Sequence, residues 1–474
     1  MNKIIIVFSI LFLAISCTDD FSNVVDFTEV ENPNLSEESV IGQPNSSVIW
    51  LTGLERQLSL AINNTLVLAE LGSDNYVNTQ TFFSQFMDEL DIQITDPNIR
   101  NAGFTIQRLR EMAVFGLTEV GPADPEYVAT TEAEYHFFYG ISLLYSAMYF
   151  SALPQEPVGI PVSSAQNYRD AIAAFDLAIG INPLPEYHLA KARANYYLGN
   201  KADAVAAAQQ ALALDGSFDR FATFDQANGP TNTMEAALFA RGTFDDLQPL
   251  PTLDFLDPKY SFLTPLEDPP VHYLKAEEAH LILAEANISD GNIATAQDNL
   301  RDLLDVIATR EVRSIDDSIE GRTENAPGSR PNNANVAVNF RGLGLVLDRQ
   351  AGNVDIPAVS GTSLTEFDVD MMVAGDNAVE LLYRTRQEVF IAEGIRFVDM
   401  GIKLVIDENE ILQNDNISMG DPGTVPVIPP FIASVVTDLD AITYDAAAGV
   451  ATTVVDVTQI LVGNKESDLV LPFH

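Results

Sequence analysis

Apolar residues recur at helical spacing through most of the chain. From Ile49 to Leu71 they return every three or four positions, and Gly72-Ser73-Asp74-Asn75 closes the run with turn chemistry, which predicts a first long helix. The same spacing predicts helices over roughly Pro97–Phe115 and Thr131–Ser151. The second of these carries Tyr135, Phe137, Phe138, Tyr139, Tyr145, Tyr149 and Phe150 on nearly every side, the pattern of a helix buried between others. Helical spacing resumes at Leu274–Ile288, Ile293–Ile307 and Ala378–Ile406. Two stretches lack it: residues 217–270, rich in Pro, Gly and Asp, read as surface loops, and residues 313–378 as a long loop of 66 residues. Near the C-terminus, Thr443–Asp445 and Val450–Val457 flank Ala446–Gly449 like a short β-hairpin, and Leu469–Phe473 is apolar enough to dock. The expected class is mainly α, with long irregular loops and a few short hairpins.

The pattern also repeats. Asp170-Ala171-Ile172-Ala173-Ala174 is echoed 33 positions later by Asp203-Ala204-Val205-Ala206-Ala207, and Ala178-Ile179 by Ala211-Leu212 at the same offset. A helix at Tyr187–Leu198 and the turn Gly199-Asn200 precede the second copy. This resembles the tetratricopeptide repeat, in which paired helices approach closely over small residues. A related pair, Leu274–Ile288 and Ile293–Ile307, is joined by Ser289-Asp290-Gly291-Asn292, where Gly291 can close one helix and Asn292 start the next.

The N-terminus changes the picture from a helical domain to an anchored one. Lys3, the apolar run Ile4–Ile15 and Ser16 precede Cys17, the single cysteine of the 474 residues. A basic start, a short apolar stretch and a small residue before the cleavage point describe a secretory signal. Cysteine at the next position makes Ala14-Ile15-Ser16-Cys17 a lipobox, with Cys17 the expected site of lipidation by acyl chains such as palmitate. The alternatives are an ordinary signal peptide and a short membrane helix, but the run is too short for the roughly 30 Å of hydrocarbon. Thr18, Asp19, Asp20 and Phe21 resemble the acidic signal that sends some bacterial lipoproteins to the outer face of the outer membrane. The expected organisation is a signal at 1–16, an acidic tether at 17–46, an N-terminal region at 47–225 and a C-terminal region at 226–474.

Charge excludes some partners. The full chain carries a net charge of −43, which disfavours nucleic acid and anionic headgroups as ligands. It does not imply disorder, because 47% of residues are hydrophobic and 26 are phenylalanine. With one cysteine there are no intrachain disulfides, so stability rests on core burial.

Three features together resemble the RagB/SusD family of outer-membrane nutrient-binding lipoproteins. The first is Tyr273–Ala286, a leucine-rich helix ending in Ala284-Glu285-Ala286 and followed by Gly291 and the helix Ala294–Leu300. The second is Arg384–Met400, in which Glu393-Gly394-Ile395-Arg396 runs on to Asp399. The third is the lipobox with the repeat-bearing middle. Arg384 with Glu388, and Asp399 with Lys403, stand one helical turn apart and are expected to pair; Gly394 permits a bend or a close approach beside Phe390 and Phe397. The chain departs from the family in Gly401-Ile402-Lys403, where a basic-aromatic pair is usual, in the 313–378 insertion, and in having one tryptophan, Trp50, which reads as core.

Candidate chemistry is sparse. Glu277-Glu278-Ala279-His280 holds a Glu-x-x-His without the second copy that a di-iron bundle needs, so it reads as a packed helix. Asp368-Val369-Asp370 and Asp438-Leu439-Asp440 could offer oxygens to a structural calcium, though neither has a calcium-loop pattern; no other cofactor is expected. The expected ligand residues are exposed aromatics and amides: Asn75, Tyr76, Asn78, Phe82 and Phe83, with Arg322, Asn325 and Arg330 in the insertion. The resemblance implies a surface-exposed lipoprotein without enzymatic activity, which binds an oligosaccharide or a peptide and passes it to a TonB-dependent barrel transporter of the SusC kind. The alternative is a lipid-anchored repeat scaffold for envelope proteins; an anchored hydrolase is the third reading.

Overall fold

The computed structural model describes residues 41–78, 85–239, 247–250, 252–253, 255–256, 259, 268–316, 353–445 and 450–474. Cys17 with the signal and most of the tether, Phe82, Phe83, Arg322, Asn325, Arg330 and the hairpin turn Ala446–Gly449 lie outside the described residues. The principal helices are α1 (Ser46–Leu71), α2 (Pro97–Phe115), α3 (Ala129–Tyr149), α4 (Ser164–Ile181), α5 (Pro185–Tyr197), α6 (Lys201–Leu214), α7 (Ala276–Ser289), α8 (Ile293–Thr309), α9 (Asp376–Val389), α10 (Ile395–Asp399), α11 (Glu408–Gln413) and α12 (Val457–Gly463). Among them run short strands: β1 (Tyr76–Asn78), β2 (Ala152–Pro154), β3 (Pro161–Ser163), β4 (Asp219–Ala222), β5 (Leu247–Pro249), β6 (Val271–Lys275), β7 (Val312–Asp316), β8 (Asn353–Pro357), β9 (Ile442–Asp445) and β10 (Val450–Thr453). They form antiparallel two-stranded ladders, β1 with β5, β2 with β3, β4 with β6, β7 with β8 and β9 with β10.

Local chemistry starts the helices where the sequence changes. Asp96 caps α2 by accepting from the Asn98 N–H at 2.8 Å, and Pro97 supplies a preset first residue. The start of α1 is capped from elsewhere in the chain: Asp124 accepts from the backbone N–H groups of Asn45 and Ser47 and from the Ser47 hydroxyl, at 3.2, 2.9 and 2.6 Å. Tyr135 adds a bond to the Ser47 carbonyl at 2.6 Å, so the chain is fastened where it enters the fold.

The repeated alanines do what their spacing implies. Ala171, Ala174 and Ala178 of α4 and Ala204, Ala207 and Ala211 of α6 are all buried, and α4 packs on α3 and α5, and α6 on α5 and α7. The aromatic helix α3 lies between neighbours, with Phe137 stacked on Tyr187 at 4.7 Å and the Arg220 guanidinium over the Phe137 ring at 4.2 Å from its centroid.

Three expectations change. Within the described residues of 217–270, β4, a helix at Thr233–Phe239 and β5 form, and Ala222, Phe224, Met234, Leu238 and Leu247 are buried, so these residues supply core rather than surface loop. Within the expected loop 313–378, β7 pairs with β8, and a helical turn at Glu366–Asp370 is started by Thr365 with a capping box. The helix expected over Ala378–Ile406 breaks: α9 ends at Val389, Gly394 takes φ 74°, and α10 begins there. A Cβ at Gly394 would lie 2.7 Å from the Tyr149 hydroxyl, so both the bend and the close approach require glycine.

The expected ion pairs are not the ones formed. Arg384 pairs with Glu380 at 2.9 Å and with Asp456, whereas Glu388 turns to the Thr362–Ser363 turn, accepting from Thr362 Oγ1 at 2.6 Å and the Ser363 N–H at 2.8 Å. Asp399 accepts from Arg386 Nε at 2.6 Å and Tyr197 OH at 3.0 Å. Lys403, beyond the end of α10, donates instead to the Ala147 and Met148 carbonyls at the end of α3, at 2.8 and 2.7 Å. Helical one-turn spacing fails between Asp399 and Lys403 because Gly401, at φ 76°, ends the helix between them.

Candidate functional site

Of the expected ligand residues, Asn75, Tyr76 and Asn78 lie among the described residues. Asn75 and Tyr76 are 0% and 1% exposed. The reason is Glu70, also fully buried near the end of α1, which requires donors: Asn75 Nδ2 gives one at 2.8 Å and the Gly394 N–H another at 2.7 Å. Burial still pushes the Glu70 carboxyl up to about 7, against the pull of those bonds. Beside it, Arg396 grips Asp74 with Nε and Nη2 at 2.6 and 2.8 Å, and Gln387 bridges Asp74 and Asn75 at 3.2 and 3.0 Å. Lys259 and Lys275 both hold Glu393 at 2.5 Å. The turn after α1 is thus a buried ionic junction that joins the N- and C-terminal parts of the chain. Asn78 is half-buried in β1, and its N–H reaches Asp88 Oδ1 at 3.3 Å.

The acidic candidates are likewise occupied. Arg310 and Arg193 take Glu277 and Glu278, at 2.7 and 2.5 Å. Asp368 serves the Thr365 cap and Asp370 pairs with Arg301 at 2.7 Å. Asp440 adjoins Asp88, whose carboxyl burial and the neighbouring acid push up to about 8. Among the described residues, no three carboxylate, imidazole or thiolate side chains come together to hold a metal.

A different region has the shape and composition of a ligand site. A cleft of about 760 Å³ opens between α1, α2, the tip of the β2–β3 hairpin and α11. Phe104, Arg108, Glu111 and Phe115 recur along one face of α2 and form one wall together with Gln107. Trp50, in the second turn of α1, closes the base. Its indole N–H is spent on the Met112 carbonyl at 2.8 Å and its ring leans on Phe115 at 5.2 Å. Gly116 makes room for it, since a Cβ there would stand 3.1 Å from the indole and from Tyr135.

The opposite wall is the hairpin tip, Pro157 and Val158, with Glu410, Gln413 and Asn414. The tip is pinned rather than loose: Asn414 Nδ2 donates to the Gly159 carbonyl at 2.8 Å and Asn416 Nδ2 to the Val158 carbonyl at 2.7 Å. Val158 is held at φ 51°, in the left-handed region that a branched residue rarely adopts. Arg110, buried behind the wall, ties α2 to β2 through the Pro154 carbonyl at 2.6 Å.

The chemistry is that of a shallow recognition site. Phe104 shows 58% and Val158 61% of their surface, apolar faces that the cleft leaves open to solvent. Around them stand amides, two carboxylates and one guanidinium, able to donate to and accept from hydroxyl groups. Sequence reasoning placed Trp50 in the core; it is half-buried and lines the cleft. The signal that could have found the wall was Phe104, an aromatic on the polar face of α2, in register with Arg108, Glu111 and Phe115.

No protein-family model matches the chain, and no curated protein matches it. Solved structures do. A SusD superfamily protein from Bacteroides fragilis aligns with a TM-score of 0.51 at 15% identity, over 80% of this chain and 100% of that one. A SusD-like carbohydrate binding protein from Bacteroides vulgatus aligns at 0.51 and 13%, over 76% and 83%. A second Bacteroides vulgatus SusD superfamily protein aligns at 0.51 and 12%, over 78% and 90%. The paired repeat helices, the junction at Gly394 and this agreement over nearly the whole of each relative lead to one conclusion: the chain has the SusD-like fold.

Proposed function

We propose that this protein is a surface-exposed, lipid-anchored binding protein that captures oligosaccharides in the Trp50–Phe104 cleft and hands them to a TonB-dependent outer-membrane transporter. The observation that carries the binding step is the exposed face of Phe104 ringed by amides and carboxylates. A sugar ring has an apolar face for the aromatic and hydroxyls for the polar groups. A structural relative with the same fold is a SusD-like carbohydrate binding protein, which supports the same ligand class. The anchor rests on the Ala14–Cys17 lipobox, and the handover on the resemblance carried by Tyr273–Ala286 and Arg384–Met400. The repeat helices give the scaffold reading less support. On α5, Tyr187, Arg193 and Tyr196 are buried, Arg193 against Glu278 and Tyr196 against Glu285, so the surface that a repeat array would offer a partner is filled by the chain itself.

The test is a glycan and peptide screen on the purified chain, followed by calorimetry with Phe104→Ala. Oligosaccharide binding weakened about tenfold or more in the variant supports the cleft. Binding to peptides alone, or glycan binding unchanged by the substitution, overturns it. Purification of the acylated protein from its own membrane is expected to recover a large β-barrel, and metabolic labelling with palmitate is expected to require Cys17.

A further inference from the structure

The wall that α2 gives to the Trp50–Phe104 cleft has an order along the helix axis. Phe104 stands at one end, Arg108 one turn on, Glu111 after it, and Phe115 at the other end, where the Trp50 ring leans on it. At the rise of an α-helix, Arg108 lies about 6 Å and Phe115 about 16 Å along the axis from Phe104. Two aromatic faces are therefore far enough apart to meet different rings of one oligosaccharide, and a guanidinium stands beside the first.

Among the described residues that line the cleft, Arg108 is the one cation, and it makes no ion pair with any of them. In this chain that is unusual. Acidic residues outnumber basic ones by 68 to 25, and the arginines on α5, α8, α9 and α10 are all committed to carboxylates. Glu111, three residues on and within reach of Arg108 along the helix face, stands instead 3.9 Å from Nη2 of the buried Arg110. Glu410, on the opposite wall, accepts from Asn414 Nδ2 at 3.2 Å. Arg108 thus presents to the cleft a planar fork of N–H donors, the geometry that fits a carboxylate or a tetrahedral oxyanion. The charge of the rest of the molecule is screened beyond about 8 Å at physiological salt, so the groups of the cleft decide what enters.

We infer, resting on the reading of this cleft as an oligosaccharide site, that its ligand is an acidic oligosaccharide with one anionic ring among neutral ones. The anionic ring lies on Phe104, with its carboxylate or sulfate ester in the fork of Arg108. The neutral rings run on toward Phe115 and Trp50, their hydroxyls donating to Glu111 and Glu410. Those two carboxylates set the limit on charge: an acid on every ring would bring like charges together across both walls, which is costly. Arg108 is then the residue that selects the ligand, and Phe104 the platform that holds it.

The test is titration calorimetry of the purified chain with sialyllactose, lactose monosulfate and glucuronosyl-xylotriose, each against its neutral parent, lactose or xylotriose. Trigalacturonate is the probe charged on every ring. Expected is a singly charged glycan that binds about tenfold or more tighter than its parent, with trigalacturonate weaker than that glycan. Whether a uronate, a sialic acid or a sulfate ester leads tells a carboxylate from a sulfate. Arg108→Gln brings the charged glycan down to the affinity of its parent, Arg108→Lys keeps part of the preference, and Phe104→Ala weakens both glycans. Equal binding of charged and neutral forms, or a preference unchanged in Arg108→Gln, overturns the inference. So does a wider glycan screen that yields only neutral ligands; if their binding falls in Phe104→Ala, the oligosaccharide reading stands without it. A screen that yields no glycan at all, or binding indifferent to Phe104→Ala, overturns both.

Discussion

Arg396 and Arg108 carry the same guanidinium into opposite surroundings. Arg396 is 2% exposed and clamps Asp74 at 2.6 and 2.8 Å, with Thr458 at 3.0 Å as a third partner. Arg108 is exposed on the cleft wall and makes no ion pair among the described residues. Burial forces pairing, because an uncompensated charge away from water is expensive. Paired charges at the junction therefore hold α1, β1, α9 and α10 together, while the groups of the cleft stay available to a visitor. The aromatic residues follow the same division: Tyr149 touches Gly394 inside the junction, and Phe104 faces solvent.

The largest expected effect breaks the buried side of this contrast. Arg396→Met strands the Asp74 carboxylate in the interior, at a cost of about 3–5 kcal/mol. Chemical denaturation should show that loss, and a variant as stable as the parent would mean that Asp74 reaches water. Phe104→Ala, by comparison, should change stability by no more than about 0.5 kcal/mol.

Next in size is a pH dependence. Glu285 is fully buried, and burial pushes its carboxyl up to about 7 although it accepts from Tyr196 at 2.6 Å. A carboxyl with a raised native pKa binds its proton more tightly folded than unfolded, so its contribution to stability is complete below about 4.5 and fades as pH rises to about 7. Glu285→Gln keeps an oxygen for Tyr196 and removes the titration. Stability measured from pH 4.5 to 7 should lose a slope worth on the order of 3 kcal/mol. An unchanged slope would place the titrating group elsewhere, with Glu70 the next to substitute.

The smallest effect sharpens the boundary between the two regions. Trp50→Phe removes the indole bond to Met112 while keeping an aromatic at the base of the cleft. A loss of about 1 kcal/mol in thermal or denaturant unfolding is expected, with weaker but measurable ligand binding. A loss several times larger would make Trp50 part of the core, as its sequence context suggested.

The helices were legible because their cause is local. Asp96-Pro97 starts α2, the paired Ala171/Ala204 and Ala178/Ala211 register the repeat, and the apolar spacing of α1 and α3 depends on nothing distant. The fold class and the SusD-like architecture follow from those features together with Glu393-Gly394-Ile395-Arg396. The ion pairs were not legible: Gly401 ends the helix between Asp399 and Lys403, which find partners on α9 and α3, while Arg384 and Glu388, both within α9, are taken by Asp456 and by the Thr362–Ser363 turn. The cleft was missed for a related reason. Composition offers Asn75 and Tyr76 as exposed ligand residues but does not say that they will be buried beside Glu70, nor that Phe104 will stay exposed.

By itself the sequence determined which segments are helical, where they repeat and how charged the molecule is, because periodicity, caps and composition act within a few residues. Only the tertiary structure decided which polar groups became glue and which became surface. A charge or an aromatic ring acquires its role from whether water reaches it, and that depends on elements hundreds of residues apart: Asp74 against Arg396, and Trp50 and Phe104 facing Glu410 and Asn414 across an open cleft.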